Sequence, residues 1–407
     1  MSMLTEGTVT GVKPLAGIRV CYVSSQEFSG ATRPLKEARS VAEAGADVCF
    51  VGYEEYMPKR IRESGFRVVT VGHRPARGSE NPVRLLRVAY NLTVFRVVDA
   101  WRKWRAPRQL AAAAASTRAD VVQAVDLPGL EIGGMAAKRM GAKFVYDAHE
   151  LWLGFVDNPD RGMSPQARRR FLDTERRWIG EADLVLAVSE PQGQRMAEHY
   201  GVPRPLILFN SPPKRVESAR PVSDPVRLVF HGGLSADRNI DGLIRAMAMV
   251  DGVTLDVHGF SRTIDMGALQ SLADDLGLQD RVRFHGAFDY DEVVELLQGY
   301  DVGVMAVKAV EENFEIALPN KLFDCICAGI AVAMGNTRAI LEVVEETGCG
   351  VPLDPSTPET IAEGLRALVS DRDALLEMKR ASVAAAPRYW WPEQAEKLVS
   401  ALQRLVG

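Results

Sequence analysis

The 407-residue chain is predicted to be an α/β protein built from two doubly wound parallel sheets. Short β-branched runs alternate with stretches of helical period along most of its length. One segment, 210–225 (NSPPKRVESARPVSDP), lacks any period and is rich in Pro, Ser and charge, and the alternation restarts after it. Charge also changes sign there: residues 1–210 hold 30 Lys and Arg against 23 Asp and Glu, and the remainder 19 against 30.

In the first half, 18–24 (IRVCYVS) reads as a strand and 33–44 as a helix, because Leu35, Ala38, Val41 and Ala42 recur at helical spacing. Strands follow at 47–51 and 67–71. After a basic helical region come the strand 120–124 (DVVQA), a helix over 130–140, and strands at 143–146, 183–188 and 205–209. In the second half, strands at 226–231, 254–258, 281–285, 301–305 and 331–334 alternate with helices over 240–248, 267–276, 291–298 and 321–328. Helices over 358–369 and 372–386 come next. Trp390, Trp391 and Pro392 interrupt the chain before a last helix, 393–406. The expected division is 1–212, 213–387 and a final segment 388–407. Two such domains leave a cleft between the carboxyl ends of their sheets, where open α/β sheets bind ligands.

Composition narrows the function. At 47% hydrophobic and 25% charged, the chain is neither disordered nor a coiled coil. No run approaches 18 apolar residues, and residues 1–17 lack a secretory pattern, so a cytoplasmic protein is expected. The five cysteines (21, 49, 325, 327, 349) lie mostly in apolar runs and read as reduced core thiols, with no metal site. An acidic total with no recognition motif argues against nucleic acid. The 84–108 region, with Arg84, Arg87, Arg96, Arg102, Lys103, Arg105 and Arg108 around Trp101 and Trp104, could lie peripherally on an anionic membrane. A solvated helix face with both Trp packed inward is the plainer account.

Three constellations carry chemistry. The strand 226–231 runs into Gly232 and Gly233 with a helix close behind, so the backbone can approach an anion, and Arg238 can pair with phosphate oxygens. Pro319 starts a helix with Asn320, Lys321 and Leu322 in its first turn and Asp324 on the face of Lys321, which suits a diphosphate and a ribose. The strand at 143–146 ends in Asp147, His149 and Glu150, at the edge where a parallel sheet places its active site. Asp126 follows a neighbouring strand, and Ser25 and Gly30 follow the first. Each has a structural alternative: a tight βα turn, a helix start with a local Lys–Asp pair, a histidine that only packs. Asp289 and Asp291 mimic a metal-binding pair but precede a helix and read as caps. Met247 and Met249, like Trp390 and Trp391, read as core. A Gly-x-Gly-x-x-Gly fingerprint is absent, which weakens a nicotinamide-dependent oxidoreductase.

YDAHELW at 146–152, ADLVLAVSE at 182–190, HGGLSADRNIDGLIRAM at 231–247, VRFHGAF at 282–288 and LPNKLFDCICAGIAVA at 318–333 together resemble the retaining glycosyltransferase family 4, which has the GT-B fold. The resemblance spans most of 120–345. It implies a nucleotide-sugar donor held by the second domain, an acceptor held by the first, no metal or other cofactor, and a last helix that returns to the first domain. It places Gly232, Gly233, Arg238, Lys321 and the amides of Asn320–Leu322 on the donor diphosphate, and Asp324 on the ribose. It also places His258, Gly259, Phe260, Gly286, Ala287 and Phe288 around the base, and His149 against the transferred sugar. Three departures stand out: one cation of the phosphate loop is replaced by Gly233, the family's glutamate eight residues before position 324 is Ile316, and Asp replaces Glu at 324. Glu312, Asn313 or Glu315 could supply the missing contact to the sugar. The expected reaction is transfer from a UDP-sugar, or next a GDP-sugar, to a glycan, lipid-linked or natural-product hydroxyl. A nucleotide-sugar epimerase and a non-catalytic binding subunit of the same fold are the alternatives.

Overall fold

In the computed structural model the described residues are 13–26, 28, 32–72, 106–153, 164–261, 264–307, 312–316 and 318–407. Gly30 and most of the basic 84–108 region, up to residue 105, lie outside them. The first sheet runs β3-β2-β1-β4-β5-β6-β7, from β1 (Arg19–Val23), β2 (Asp47–Tyr53), β3 (Arg67–Val71), β4 (Val121–Val125), β5 (Lys143–Asp147), β6 (Leu184–Ala187) and β7 (Leu206–Ile207). The second runs β10-β9-β8-β11-β12-β13, from β8 (Val226–His231), β9 (Val253–His258), β10 (Val282–His285), β11 (Val302–Met305), β12 (Ala331–Gly335) and β13 (Gly350–Leu353). Every pairing is parallel, and strands such as VVQAV and AVAMG are buried along their whole length, as central strands covered on both faces must be. Strand order reverses between β1 and β4 and between β8 and β11, the two switch points where ligands gather.

Register fixes what meets at the first switch point. Val23 pairs with Ala124 and Val125 with Asp147, so Ser24, Asp126 and Asp147 emerge along one edge. In the second sheet His231 pairs with His258 and His258 with His285, which lines up three histidines across β8, β9 and β10.

The sequence reading overlooked the helices Pro165–Ile179, Glu190–Tyr200 and Arg338–Thr347 and the edge strand β13. Two of the four have weak patterns, whereas Arg338–Thr347 shows a plain helical stripe at Ala339, Ile340, Val343 and Val344. The 165–179 helix carries five arginines, and β13 is a four-residue strand containing Pro352. The expected strand at 205–209 shrinks to two residues. Beyond it Leu208 O accepts from Arg33 Nη1 (2.7 Å), and Phe209 N donates to Gln394 Oε1 (3.3 Å). Met249 also departs from expectation: the helix Ile240–Met247 stops before it and leaves it 38% exposed.

The helix Arg372–Tyr389 packs on the second sheet, where its buried Lys379 pairs with Asp301 at 2.6 Å. Asp301 in turn accepts from the backbone of Ser223 and Arg227, which pins the end of the linker. Trp390 is the one residue between that helix and the next, Trp391–Val406, because Pro392 is tolerated in a first turn. The last helix returns to the first domain and buries Leu398 and Leu402 beside Val20, Val41 and Leu208. Where the chain crosses back, Trp391 N donates to Pro212 O (2.9 Å) in the outgoing linker, and Trp391 Nε1 to Ser40 Oγ (2.9 Å). Further contacts that join the domains include Arg60 with Asp289 (2.5 Å) and Arg195 with Glu312 (2.7 Å), beside which Ile316 enters the first domain's core. Asp289 also accepts from Asp291 N (3.1 Å), the capping bond that its position suggests.

Candidate active site

On the second domain the site grows from β8. Gly232 has φ +103°, and a Cβ there would fall 2.9 Å from Lys321 Cε and 3.0 Å from Nζ, so the lysine lies directly over the glycine backbone. Gly259 is tighter: a Cβ would sit 2.0 Å from Gly232 O. Only glycine fits either position, and the two strand ends pack backbone on backbone. Lys321 stands in the first turn of the helix Asn320–Cys327, which Pro319 starts. Burial and the nearby Arg238 push its amine down to about 8. Arg238 closes the 3₁₀ turn Ala236–Arg238, pairs with Asp237 (3.2 Å) and reaches Met305 Sδ (3.7 Å). Among the described residues no carboxylate lies within ion-pair reach of Lys321. Of the three amides assigned to the diphosphate, that of Leu322 donates to Pro319 O (3.0 Å) and its side chain is buried, which leaves those of Asn320 and Lys321 at the helix start.

Asp324 lies deeper than its assigned role suggests, at 1% exposure. Oδ1 accepts from Tyr290 Oη (3.0 Å) and Oδ2 pairs with His231 Nε2 (3.1 Å), so a local pair with Lys321 does not form. Each oxygen keeps a further acceptor site, so burial rather than these two bonds limits direct contact with a ribose. Around the base positions, Phe260 is 53% exposed after β9, while Gly286 and Ala287 are exposed after β10. Phe288 stands edge-on to His231 and His258, with centroids 6.1 and 6.5 Å away. The candidates for the sugar divide. Glu312 pairs with Arg195, Glu315 accepts from Arg338 N (3.3 Å), and the side chain of Asn313 lies outside the described set.

On the first domain His149 Nε2 is 2.7 Å from Asp147 Oδ2. Asp147 is fully buried, and Arg33 grips it from behind with Nε at 3.2 Å from Oδ2 and Nη2 at 2.6 Å from Oδ1. Burial opposes the charge on Asp147, yet Arg33 and His149 hold its carboxyl well below the usual range. Burial likewise opposes the charge on His149, and Asp147 outweighs it and raises the imidazole. Glu37 pairs with Arg33 (3.0 Å), accepts from Gln123 Nε2 (2.7 Å), and is pushed up to about 7 by burial and Asp147. Asp126 takes φ +55°, uncommon for a residue with a Cβ, and accepts from Trp152 Nε1 (2.8 Å). Its carboxyl is raised by burial. Glu150 sits half-buried at the rim, and Ser25 Oγ donates to Pro128 O (2.8 Å).

Sequence reasoning missed Arg33, Lys36 and Glu37. Lys36 Nζ donates to Ser211 O and lies 5.6 Å from the Tyr290 ring and 4.9 Å from that of Trp391, so it touches first domain, linker, second domain and last helix together. Burial pushes its amine down to about 7. The available signal was the spacing of Arg33 and Glu37, which fall four apart on the stripe that continues to Val41.

Comparison with known proteins fits this geometry. A model of the glycosyl transferase 4-like domain matches residues 30–213, and one of the glycosyl transferases group 1 matches 213–385. The chain belongs to glycosyltransferase family 4. The transferase is 24% identical over 293 residues to a D-inositol 3-phosphate glycosyltransferase of Nocardia farcinica, a match spanning 66% of this chain and 63% of that one. A D-inositol 3-phosphate glycosyltransferase of Corynebacterium glutamicum is 22% identical across 91% of this chain and 94% of its own. Among solved structures, Anabaena Alr3699/HepE in complex with UDP and glucose superposes with a TM-score of 0.68 at 17% identity, covering 95% of this chain and 100% of that one. Sucrose-phosphate synthase from Thermosynechococcus elongatus does so at 0.68 and 15%, covering 95% and 99%. These likenesses show the GT-B fold of the transferase. Among its described residues no helix is long and apolar enough to cross a membrane.

Proposed function

We propose that the enzyme transfers a sugar from a nucleoside diphosphate, UDP before GDP, to an acceptor hydroxyl with retention at the anomeric carbon and without a metal on the diphosphate. The observation that carries this reading is Lys321 lying over the Gly232 backbone with Arg238 near enough to lower its amine, and with no carboxylate in ion-pair reach of Lys321 among the described residues. Like charges held near one another in a half-buried site favour an anion between them. As the bond from sugar to diphosphate breaks, negative charge builds on the leaving oxygens. The two cations and the first amides of the Asn320–Cys327 helix stabilise that charge.

The opposite wall has a different task. Asp147 accepts a hydrogen bond from His149 Nε2 and keeps the ring oriented, so the other nitrogen addresses the sugar. The leaving phosphate itself accepts the acceptor's proton on the same face, and Asp126, held by Trp152, lines the acceptor side. The acceptor is a glycan, a lipid-linked sugar or a small natural product.

A metal-free thermal-shift panel of UDP, GDP, ADP and NAD tests the donor half. A ligand at 100 times its dissociation constant stabilises by about 2.7 kcal/mol, so UDP should raise Tm clearly in the native enzyme and not in Lys321→Ala. His149→Ala should lower transfer far more than UDP binding. A flat panel, a shift with NAD alone, or equal losses in the His149 variant would overturn the reading.

A further inference from the structure

Asp256 and His258 stand two residues apart on β9 and so share a face of the second sheet, and His285 on β10 is the direct cross-strand partner of His258. One ligand atom from each lies within 4.8 Å of the others, the only such group of three or more among the described residues. Two imidazoles and one carboxylate suit a borderline ion such as Zn²⁺ better than Mg²⁺ or Ca²⁺, which prefer all-oxygen sets.

The carboxylate is the telling member. Asp256 is 3% exposed, its Oδ1 is 2.5 Å from His285 Nε2, and its Oδ2 has no hydrogen-bond partner among the described residues. A buried acceptor left unmatched is costly, and a cation is the partner that would satisfy it. His258 is 8% exposed, and Tyr300 Oη, 2.7 Å from its Nε2, adds a further oxygen at the rim. Access comes through His285, whose side chain is 41% exposed on the edge strand. The two imidazoles lie face to face, 4.2 Å apart and within 6° of parallel, so joint ligation of one ion requires the exposed His285 ring to turn out of the stack and exchange its contact with Asp256 Oδ1 for the ion.

We propose that Asp256, His258 and His285 form a zinc site, with a water completing the coordination. The site ties β9 to the edge strand β10 immediately before the loops 258–260 and 286–288, and braces both. It shares His258 with the residues assigned to the base but uses none of the side chains assigned to the diphosphate, so loss of metal uptake and loss of diphosphate binding are separate outcomes.

Titration of the full chain with Co²⁺, followed by displacement with Zn²⁺, tests it. The native protein should take up one Co²⁺ per chain with the intense visible bands of a four-coordinate ion and no thiolate charge-transfer band, since the five cysteines are buried elsewhere. Asp256→Asn and His285→Gln should each weaken uptake at least about tenfold. His285 is half-exposed, so its variant is expected to fold, and circular dichroism checks both. No saturable uptake by the native chain, a thiolate band, or affinity unchanged in both folded variants would overturn the assignment.

Discussion

The two walls of the cleft handle buried charge in opposite ways. On the first domain Arg33, Asp147, Glu37 and His149 are locked into one network in which positive and negative groups alternate. On the second, Arg238 lies near enough to lower the Lys321 amine, and among the described residues only Arg238 has an acidic partner, Asp237. A wall whose charges already cancel can orient a side chain with precision, while a wall left positive binds and stabilises an anion. The division matches the two needs of the transfer proposed above, positioning at the sugar and charge stabilisation at the leaving group.

The strongest way to break this comparison is Arg33→Met. It strands Asp147 in the core and should cost about 3–5 kcal/mol of stability, read as a fall in Tm. Pairing it with Asp147→Asn should recover much of that loss. Lys321→Ala removes the counterpart on the other wall. It should leave Tm near native but slow transfer by about 10²–10³, roughly 2.7–4 kcal/mol in the barrier.

A third test uses pH within the first domain. Glu175 is buried between Tyr146 and Tyr200 and pushed up to about 7, mainly by burial. Its folded pKa is raised, so the folded state holds more protons than the unfolded one between about 4.5 and 7, and stability falls as pH rises through that window. Glu175→Gln should flatten this slope and gain on the order of 1–3 kcal/mol above pH 7 in denaturant titrations.

A fourth test applies the same logic to the charged wall. Lys321, at about 8 in the free site, should take up a proton when a diphosphate binds at pH above 8. Binding heats should then depend on the buffer, and UDP affinity should fall as pH rises through 8. The smallest effect belongs to the exposed Arg195–Glu312 pair, whose loss in Arg195→Ala should change stability by about 1 kcal/mol or less.

Most of the strand framework was readable from sequence, because fully buried parallel strands leave continuous apolar runs, as at Val121–Val125 and Ala331–Gly335. The Gly232, Lys321 and His149 neighbourhoods were readable as well, since each sits at a strand or helix end that the pattern locates. Arg33, Lys36 and Glu37 were not. A charged residue on a helix normally faces water; Lys36 is buried because linker, second domain and last helix converge on it, and Arg33 and Glu37 because they pack on Asp147 and Gln123 of the first sheet. The bonds of Asp324 to Tyr290 and His231 were equally hidden, for their partners lie 34 and 93 positions away in the chain.

The return of the Trp391–Val406 helix has a consequence for how the molecule is made. The first domain is not a continuous piece of chain: Leu398 and Leu402, which complete its core, follow the entire second domain in order of synthesis. During translation the first sheet must wait, with the surface around Val20 and Val41 uncovered, until some 180 intervening residues have emerged and folded. The same detour joins the two halves by two covalent strands, cross-linked where Trp391 meets Pro212. A door hung on two pins swings about one line only, and opening of this cleft should therefore be a rotation about that line.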